Sequence, residues 1–207
     1  MIDFYFDFVS PFGYFASLRV EQFAARHGLA LRWHPILIGV TVMKLMGMAP
    51  ILDIPLKGAY MKRELRRYCE LFEVKLQRDA SAAPISALAA SRALALLLQQ
   101  HDDAALPFAK ACYHSYWQQC LDLNQQDTVL ALAQSSGAAA SNIELMAGDA
   151  SKNALRFEMD QAVARGVFGS PFFIIDEEPF FGVDKLELME LWLEHRTETP
   201  SRNARPG

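Results

Sequence analysis

The chain has only three cysteines, Cys69, Cys112 and Cys120, odd in number and widely spaced, and no C-x-x-C pair. Dithiol redox chemistry and cysteine-rich zinc sites are therefore without support, and a reducing compartment fits best. Long hydrophobic runs are absent too. The richest, 88–98, is interrupted by Ser91 and Arg92 and is too short to span a bilayer. No basic stretch precedes the first strand-like residues, so no secretory signal is expected and the expected setting is soluble and cytoplasmic. Basic charge is not in excess. The 20 Lys+Arg against 24 Asp+Glu leave a formal net charge of -4, which argues against a general nucleic-acid binder. The five histidines, His27, His34, His101, His114 and His195, show no metal-ligand spacing, and no metal is expected. What the chain does have is apolar bulk: 52% of its 207 residues are hydrophobic, enough for one large domain or two small ones with a core.

Residues 2–9 read Ile-Asp-Phe-Tyr-Phe-Asp-Phe-Val, and the alternation of Ile2, Phe4, Phe6 and Phe8 is strand periodicity. Ser10-Pro11 then signals a helix start, a capping hydroxyl followed by proline at the first helical position. This helix carries Phe15, Leu18 and Phe23 and stops near His27-Gly28, and residues 29–38 read as a second strand. Such a β-α-β opening implies parallel strands. From about residue 41 to 165 helical stretches take over, roughly 55–73, 86–101, 104–120, 126–136 and 151–165. Ser141-Asn142-Ile143-Glu144 has the form of a capping box for a further short helix. Residues 171–176 and 179–181 are strand-like around a turn at Asp176-Glu177-Glu178, an antiparallel hairpin. Asp184 caps a last helix, and the polar tail after His195 is expected to be mobile unless it docks. The order predicts an α/β thioredoxin-like fold, a four-stranded mixed sheet with helices on its faces, interrupted by an all-helical insertion. The thioredoxin-like parts are expected in 1–40 and 156–207 and the insertion in 41–155. They should pack as one discontinuous unit with a cleft between the parts.

Three junctions carry polar groups suited to chemistry. Ser10 stands where dithiol thioredoxin folds place the first cysteine of Cys-Pro-x-Cys; here the run is Ser10-Pro11-Phe12-Gly13. Its bland reading is a helix cap. Its functional reading is a hydroxyl that donates to a thiolate, since no His/Asp partner is evident to make it a nucleophile. Ser170-Pro171 precedes the third strand, either as an ordinary trans pair or as a cis proline whose neighbour offers N–H and C=O to an extended peptide. Asp184 follows Gly182-Val183 and either caps the helix or binds an ammonium group while nearby N–H groups bind a carboxylate. Lys57, Lys62, Arg63, Arg66 and Arg67 share one helix, a solvated face able to attract carboxylates. Met43, Met46 and Met48 crowd one stretch, as core filling or as an apolar pocket wall.

The joint pattern is more specific than its parts. Asp3-Phe4-Tyr5-Phe6-Asp7-Phe8-Val9-Ser10-Pro11-Phe12-Gly13-Tyr14 resembles the opening of 2-hydroxychromene-2-carboxylate isomerases and kappa-class glutathione transferases. So do Pro55-Leu56-Lys57-Gly58-Ala59-Tyr60-Met61, residues 166–173 and residues 179–186, in the same order over nearly the whole chain. The resemblance implies a glutathione-dependent enzyme with an interrupted DsbA-like thioredoxin domain, usually a homodimer, acting on a small aromatic or electrophilic substrate. Neither nucleic acid nor membrane is an expected partner. Under this resemblance Ser10 lies beside the glutathione sulfur, Lys57 meets a glutathione carboxylate, Ser170 and Pro171 hold the cysteinyl portion, and Val183 and Asp184 hold the γ-glutamyl end. Met48 and Ser86 stand where the family often has asparagine, and Lys185 where arginine is commonest. The implied activity is isomerisation of 2-hydroxychromene-2-carboxylate, or a related aromatic catabolite, to trans-o-hydroxybenzylidenepyruvate by reversible thiolate addition. Conjugation of electrophiles, as in the kappa transferases, is the alternative. A binding protein without chemistry is a third reading, and a disulfide oxidoreductase is opposed by Ser10 and Gly13.

Overall fold

The computed structural model describes residues 1–198. It opens with strand β1 (Ile2–Phe6), helices α1 (Pro11–Ser17) and α2 (Val20–Arg26), and strand β2 (Leu31–Pro35). β1 and β2 pair in parallel, with Ile2 opposite Leu31 and Phe6 opposite Pro35. Helix α2 ends at Gly28, whose φ of 61° is left-handed. There the Leu29 and Gly28 amides reach back to Ala24 and Ala25 carbonyls, a glycine-terminated helix end. The expected single helix is therefore two. A tight turn, closed by Arg19 N–H to the Ala16 carbonyl at 3.0 Å, separates them. The turn buries Phe15, Val20 and Phe23 together and leaves Leu18 half-exposed at 50%.

A π-helical turn over Gly39–Leu45 and a short 3-10 turn at Ile51–Asp53 lead into the helical block. That block comprises α3 (Lys57–Leu71), α4 (Leu88–Gln99), α5 (Ala105–Gln118), α6 (Gln126–Ser135), α7 (Ala140–Leu145) and α8 (Asp149–Ala164). The predicted short helix is present as α7, but the capping box is not its start. Ala139 stands at the cap with no side-chain bond, and Ser141 lies inside the helix. Met43, Met46 and Met48 are exposed, so they do not fill the core.

The chain then returns to the sheet through β3 (Phe172–Ile175) and β4 (Glu178–Phe181), and closes with α9 (Lys185–Glu198). Asp176 and Glu177 alone form the hairpin turn, both at positive φ (48° and 72°), while Glu178 already belongs to β4. Two left-handed residues match the twist of a tight hairpin. The sheet order is β2-β1-β3-β4, with β3 antiparallel to both neighbours. α9 runs past His195, and the remainder of the polar tail expected there lies outside the described residues.

Both faces of β1 are covered, so all five of its residues are buried. One face is an aromatic ladder: Phe4 stacks on Phe6 (5.2 Å) and Phe173 (5.3 Å), and Phe8 meets Tyr113 edge-on (5.1 Å). Each ring buries enough area to contribute roughly 1.5–3 kcal/mol, with about 0.5–1.5 kcal/mol more per ring pair. The opposite face is polar. Asp3 accepts from Arg32 Nε at 2.6 Å and Arg165 Nη1 at 2.6 Å, and Arg165 also donates to the Tyr5 hydroxyl at 2.8 Å. His34 stacks on Tyr5 and bridges Asp3 (3.1 Å) and Glu158 (3.0 Å). Sheet and helical block share one continuous core. No helix among the described residues is long and apolar enough to cross a membrane.

Candidate active site

Ser10 ends the turn that follows β1. Its backbone is extended (φ -85°, ψ 115°), and its Oγ accepts the Gly13 amide at 3.0 Å, a helix N-cap with Pro11 at the first helical position. The first-turn donors can be counted. Proline has none, Gly13 N–H goes to Ser10 Oγ, and Tyr14 N–H goes to the Ser10 carbonyl at 3.0 Å. Among the described residues that leaves the Phe12 amide without a partner, directly beside Ser10. Ser10 is only 5% exposed, and its hydroxyl donates to the Ser170 carbonyl at 3.1 Å. Capping and functional placement are thus compatible at this residue.

Ser170 completes a two-way stitch, because its own Oγ accepts the Asp7 amide at 3.0 Å. The Ser170–Pro171 peptide bond is cis. Pro171 is buried, and its carbonyl accepts the Gly182 amide at 3.1 Å, extending the β3–β4 pairing by one step. That bond brings the next turn alongside, where Val183 is buried and Asp184 is exposed, paired with the adjacent Lys185. Ser10, Ser170, Pro171, Val183 and Asp184 are therefore linked through the Ser10 hydroxyl bond, the Gly182–Pro171 backbone bond and the chain between them.

Lys57 is the first residue of α3 and is exposed, with no carboxylate partner among the described residues. Gly58 beside it has no room for a side chain, since a Cβ would fall 2.1 Å from the Leu52 carbonyl oxygen. Further along α3, Tyr68 packs on Phe12 (5.7 Å) and Phe15 (5.6 Å) of α1. Burial, together with the nearby Asp184 charge, pushes the Tyr68 phenol up from its ordinary value. α3 thus packs along α1, and Asp184 is near enough to act on the Tyr68 phenol. Lys57 itself makes no direct bond to Ser10. Met48 lies exposed after the π-helical turn, and the Ser86 hydroxyl accepts the Leu88 amide at 3.2 Å.

Sequence reasoning passed over three residues. Asp7 is buried below Ser10, with Oδ1 accepting Val9 N–H (3.2 Å) and Oδ2 accepting Ile38 N–H (2.9 Å). Burial pushes its carboxyl up to about 6, against the pull of those two amides. A carboxylate set between Phe6 and Phe8 in an apolar strand was a usable signal. Tyr113 and Trp117, on α5, donate to the Asp7 carbonyl (3.2 Å) and the Phe8 carbonyl (3.0 Å). No local pattern announces them. The three cysteines are unpaired, and burial raises the Cys112 thiol well above its ordinary value.

Comparison with known proteins agrees with this geometry. The family model for the DSBA-like thioredoxin domain matches residues 1–194. A 2-hydroxychromene-2-carboxylate isomerase of Sphingobium xenophagum is 31% identical over 93% of this chain and 97% of its own. Glutathione S-transferase kappa 1 of Rattus norvegicus is 22% identical over 99% of this chain and 97% of its own. A solved 2-hydroxychromene-2-carboxylate isomerase structure superposes with a TM-score of 0.77 at 22% identity, covering 95% of this chain and 97% of that one. A helix-capping serine against a cis proline, on a sheet interrupted by helices, is a thioredoxin frame without its dithiol, and the chain belongs to the DsbA-like thioredoxin family, in the group of the 2-hydroxychromene-2-carboxylate isomerases.

Proposed function

We propose that the protein is a glutathione-dependent isomerase, converting 2-hydroxychromene-2-carboxylate or a related aromatic catabolite to trans-o-hydroxybenzylidenepyruvate. The observation that carries this reading is the full-length likeness to an isomerase of that name. The chain's own residues fit glutathione. The unpaired Phe12 amide and the Ser10 hydroxyl offer two donors side by side for a sulfur anion, at the place where dithiol relatives carry a cysteine. Glutathione held there would supply a thiolate for reversible addition to the conjugated carbonyl system, which is what isomerisation about its double bond requires.

Each residue of the site then has a role. Ser10 turns its hydroxyl from the Ser170 carbonyl to the sulfur; serine is too weak an acid to serve as an anionic base, so it acts as a donor. Ser170 and Pro171 would hold the cysteinyl portion. Val183 and Asp184 hold the γ-glutamyl end, with the carboxylate of Asp184 facing its ammonium group. Lys57, unpaired and exposed, meets a carboxylate. The family resemblance extends the reading to a homodimer working in the cytoplasm on a small aromatic or electrophilic substrate.

The test is isomerisation of a hydroxychromene carboxylate with and without glutathione. Turnover that requires glutathione without consuming it is expected, and glutathione-independent turnover contradicts the reading. The second reading, a kappa-like transferase, is favoured by the likeness to the rat enzyme. It predicts net consumption of glutathione with an aryl halide and no isomerisation.

A further inference from the structure

We propose that Tyr113, supported by Trp117 one turn along α5, is a positioning residue that sets the alignment of the Ser10 loop from within the helical insertion. The inference rests on the glutathione reading and names residues that act beneath that site. Residues four apart on a helix share a face. On this face the Tyr113 hydroxyl and the Trp117 Nε1 reach two successive carbonyls, Asp7 and Phe8, at 3.2 and 3.0 Å. The Asp7 carbonyl also accepts the Ser10 amide at 3.0 Å, so Tyr113 bonds to the very group that closes the Ser10 turn.

The Tyr113 ring has little freedom to reorient. It packs on Phe6 (5.3 Å), Phe8 (5.1 Å) and Tyr14 (5.7 Å) and is 1% exposed. Its hydroxyl lies beneath the first turn of α1. A Cβ on Gly13 would fall 2.7 Å from it and 2.8 Å from Ser170 Oγ. The hydroxyl therefore limits how far the turn bearing Ser10 and the Phe12 amide can sink or tilt. Buried as it is, it acts through that turn and not on the reacting atoms. Misplacing donors by fractions of an ångström is enough to change how well they stabilise an anion.

The same helix provides a matched control. Tyr116, also buried, donates its hydroxyl to the Ile85 carbonyl at 2.9 Å, away from the Ser10 loop. Tyr113→Phe and Tyr116→Phe each remove one hydroxyl and one hydrogen bond while keeping the ring. The experiment titrates the ultraviolet thiolate absorbance of reduced glutathione bound to wild type and to both variants, alongside kcat, KM and thermal unfolding.

Tyr113→Phe is expected to raise the bound thiol's pKa by about one unit and to lower kcat about tenfold, with KM for glutathione changed less than about twofold. Tyr116→Phe is expected to lower thermal stability comparably and to leave the thiol pKa alone. A Cβ on Gly13 meets that hydroxyl and also Ser170 Oγ and Ser10 Cβ; the part of a Gly13→Ala shift that runs through Tyr113 is expected to be non-additive with Tyr113→Phe. An unchanged thiol pKa in Tyr113→Phe, or an equal shift in Tyr116→Phe, overturns the proposal. A wild-type protein that fails to lower the thiol pKa at all overturns the glutathione reading instead, and this inference falls with it.

Discussion

At the scale of single residues, Ser10 is engaged on both sides, accepting from Gly13 and donating to Ser170. Ser10→Ala therefore removes a cap and a bridge as well as the proposed thiolate donor. The expected outcome is a loss of about 1 kcal/mol in stability and a 10–100-fold fall in turnover, the order of magnitude of one hydrogen bond to a charge. Urea unfolding and steady-state kinetics on the same preparation check both. Asp7 gives a second prediction. Its folded carboxyl titrates at about 6 against an ordinary 3.8, so the native state keeps a proton that the unfolded chain has lost. Stability from this group is thus greatest below pH 3.8, falls as pH rises toward 6, and is flat above; the drop is on the order of 2–3 kcal/mol. Asp7→Asn should abolish that slope in a stability-versus-pH series, at a pH-independent cost, because an amide oxygen cannot replace two carboxylate acceptors. A slope that survives in the variant refutes the assignment. The Ser10 cap was legible in the sequence because turn and cap chemistry is written in adjacent residues. Tyr113 was not, since its partner Asp7 lies 106 residues away and its ring looks like any other core aromatic.

Among elements, α8 adds ion pairs with the sheet to the apolar contacts of Leu155, Met159 and Ala162 in the core. Burial alone disfavours the charged form of His34, but bonds and charges from Asp3 and Glu158 override it and raise its pKa above the ordinary 6.5. Burial likewise opposes the Asp3 charge, and His34, Arg32 and Arg165 overcome it, holding the carboxyl well below the usual range. The signs are opposite. The His34 contribution is present below pH 6.5 and is lost as pH rises through its higher folded value; the Asp3 contribution is lost as pH falls below 3.8. His34→Gln should flatten the decline of stability on the alkaline side. Urea midpoints from about pH 6 to 9 decide it, and an unchanged decline would show that the ring is not charged in the fold. Helix positions were largely readable from apolar spacing, as α4, α5 and α6 show. Helix starts were less so: Ser141 offered a cap on paper, while the helix starts two residues earlier, where Asp102 accepts the Ala139 amide and the Asn142 side chain. The π-helical turn at Gly39–Leu45 leaves no periodic trace, and neither does the break at Leu18–Arg19.

At the scale of the whole molecule, helical block and sheet share one core, and α5 bonds directly into the loop of β1. We propose the division into 1–40, 41–155 and 156–207 as a description of architecture rather than of independent folding; its second boundary falls inside α8. A single thermal transition, with calorimetric and van't Hoff enthalpies in agreement, is the expected result. Two resolved transitions would mean that the insertion melts alone. The interrupted order has one more consequence, which concerns the chain while it is being made. β1 sits in the middle of the sheet, yet one of its two partners, β3, is separated from it by the entire helical block; Asp7 and Ser170, which touch, are 163 residues apart. At ordinary translation speeds β3 leaves the ribosome about 10–30 s after β1. Throughout that time Ile-Asp-Phe-Tyr-Phe presents an open, aromatic strand edge, the kind that recruits other nascent chains. Yield in the cell is therefore a property distinct from the stability of the finished fold, and a variant that melts like wild type can still be lost during synthesis.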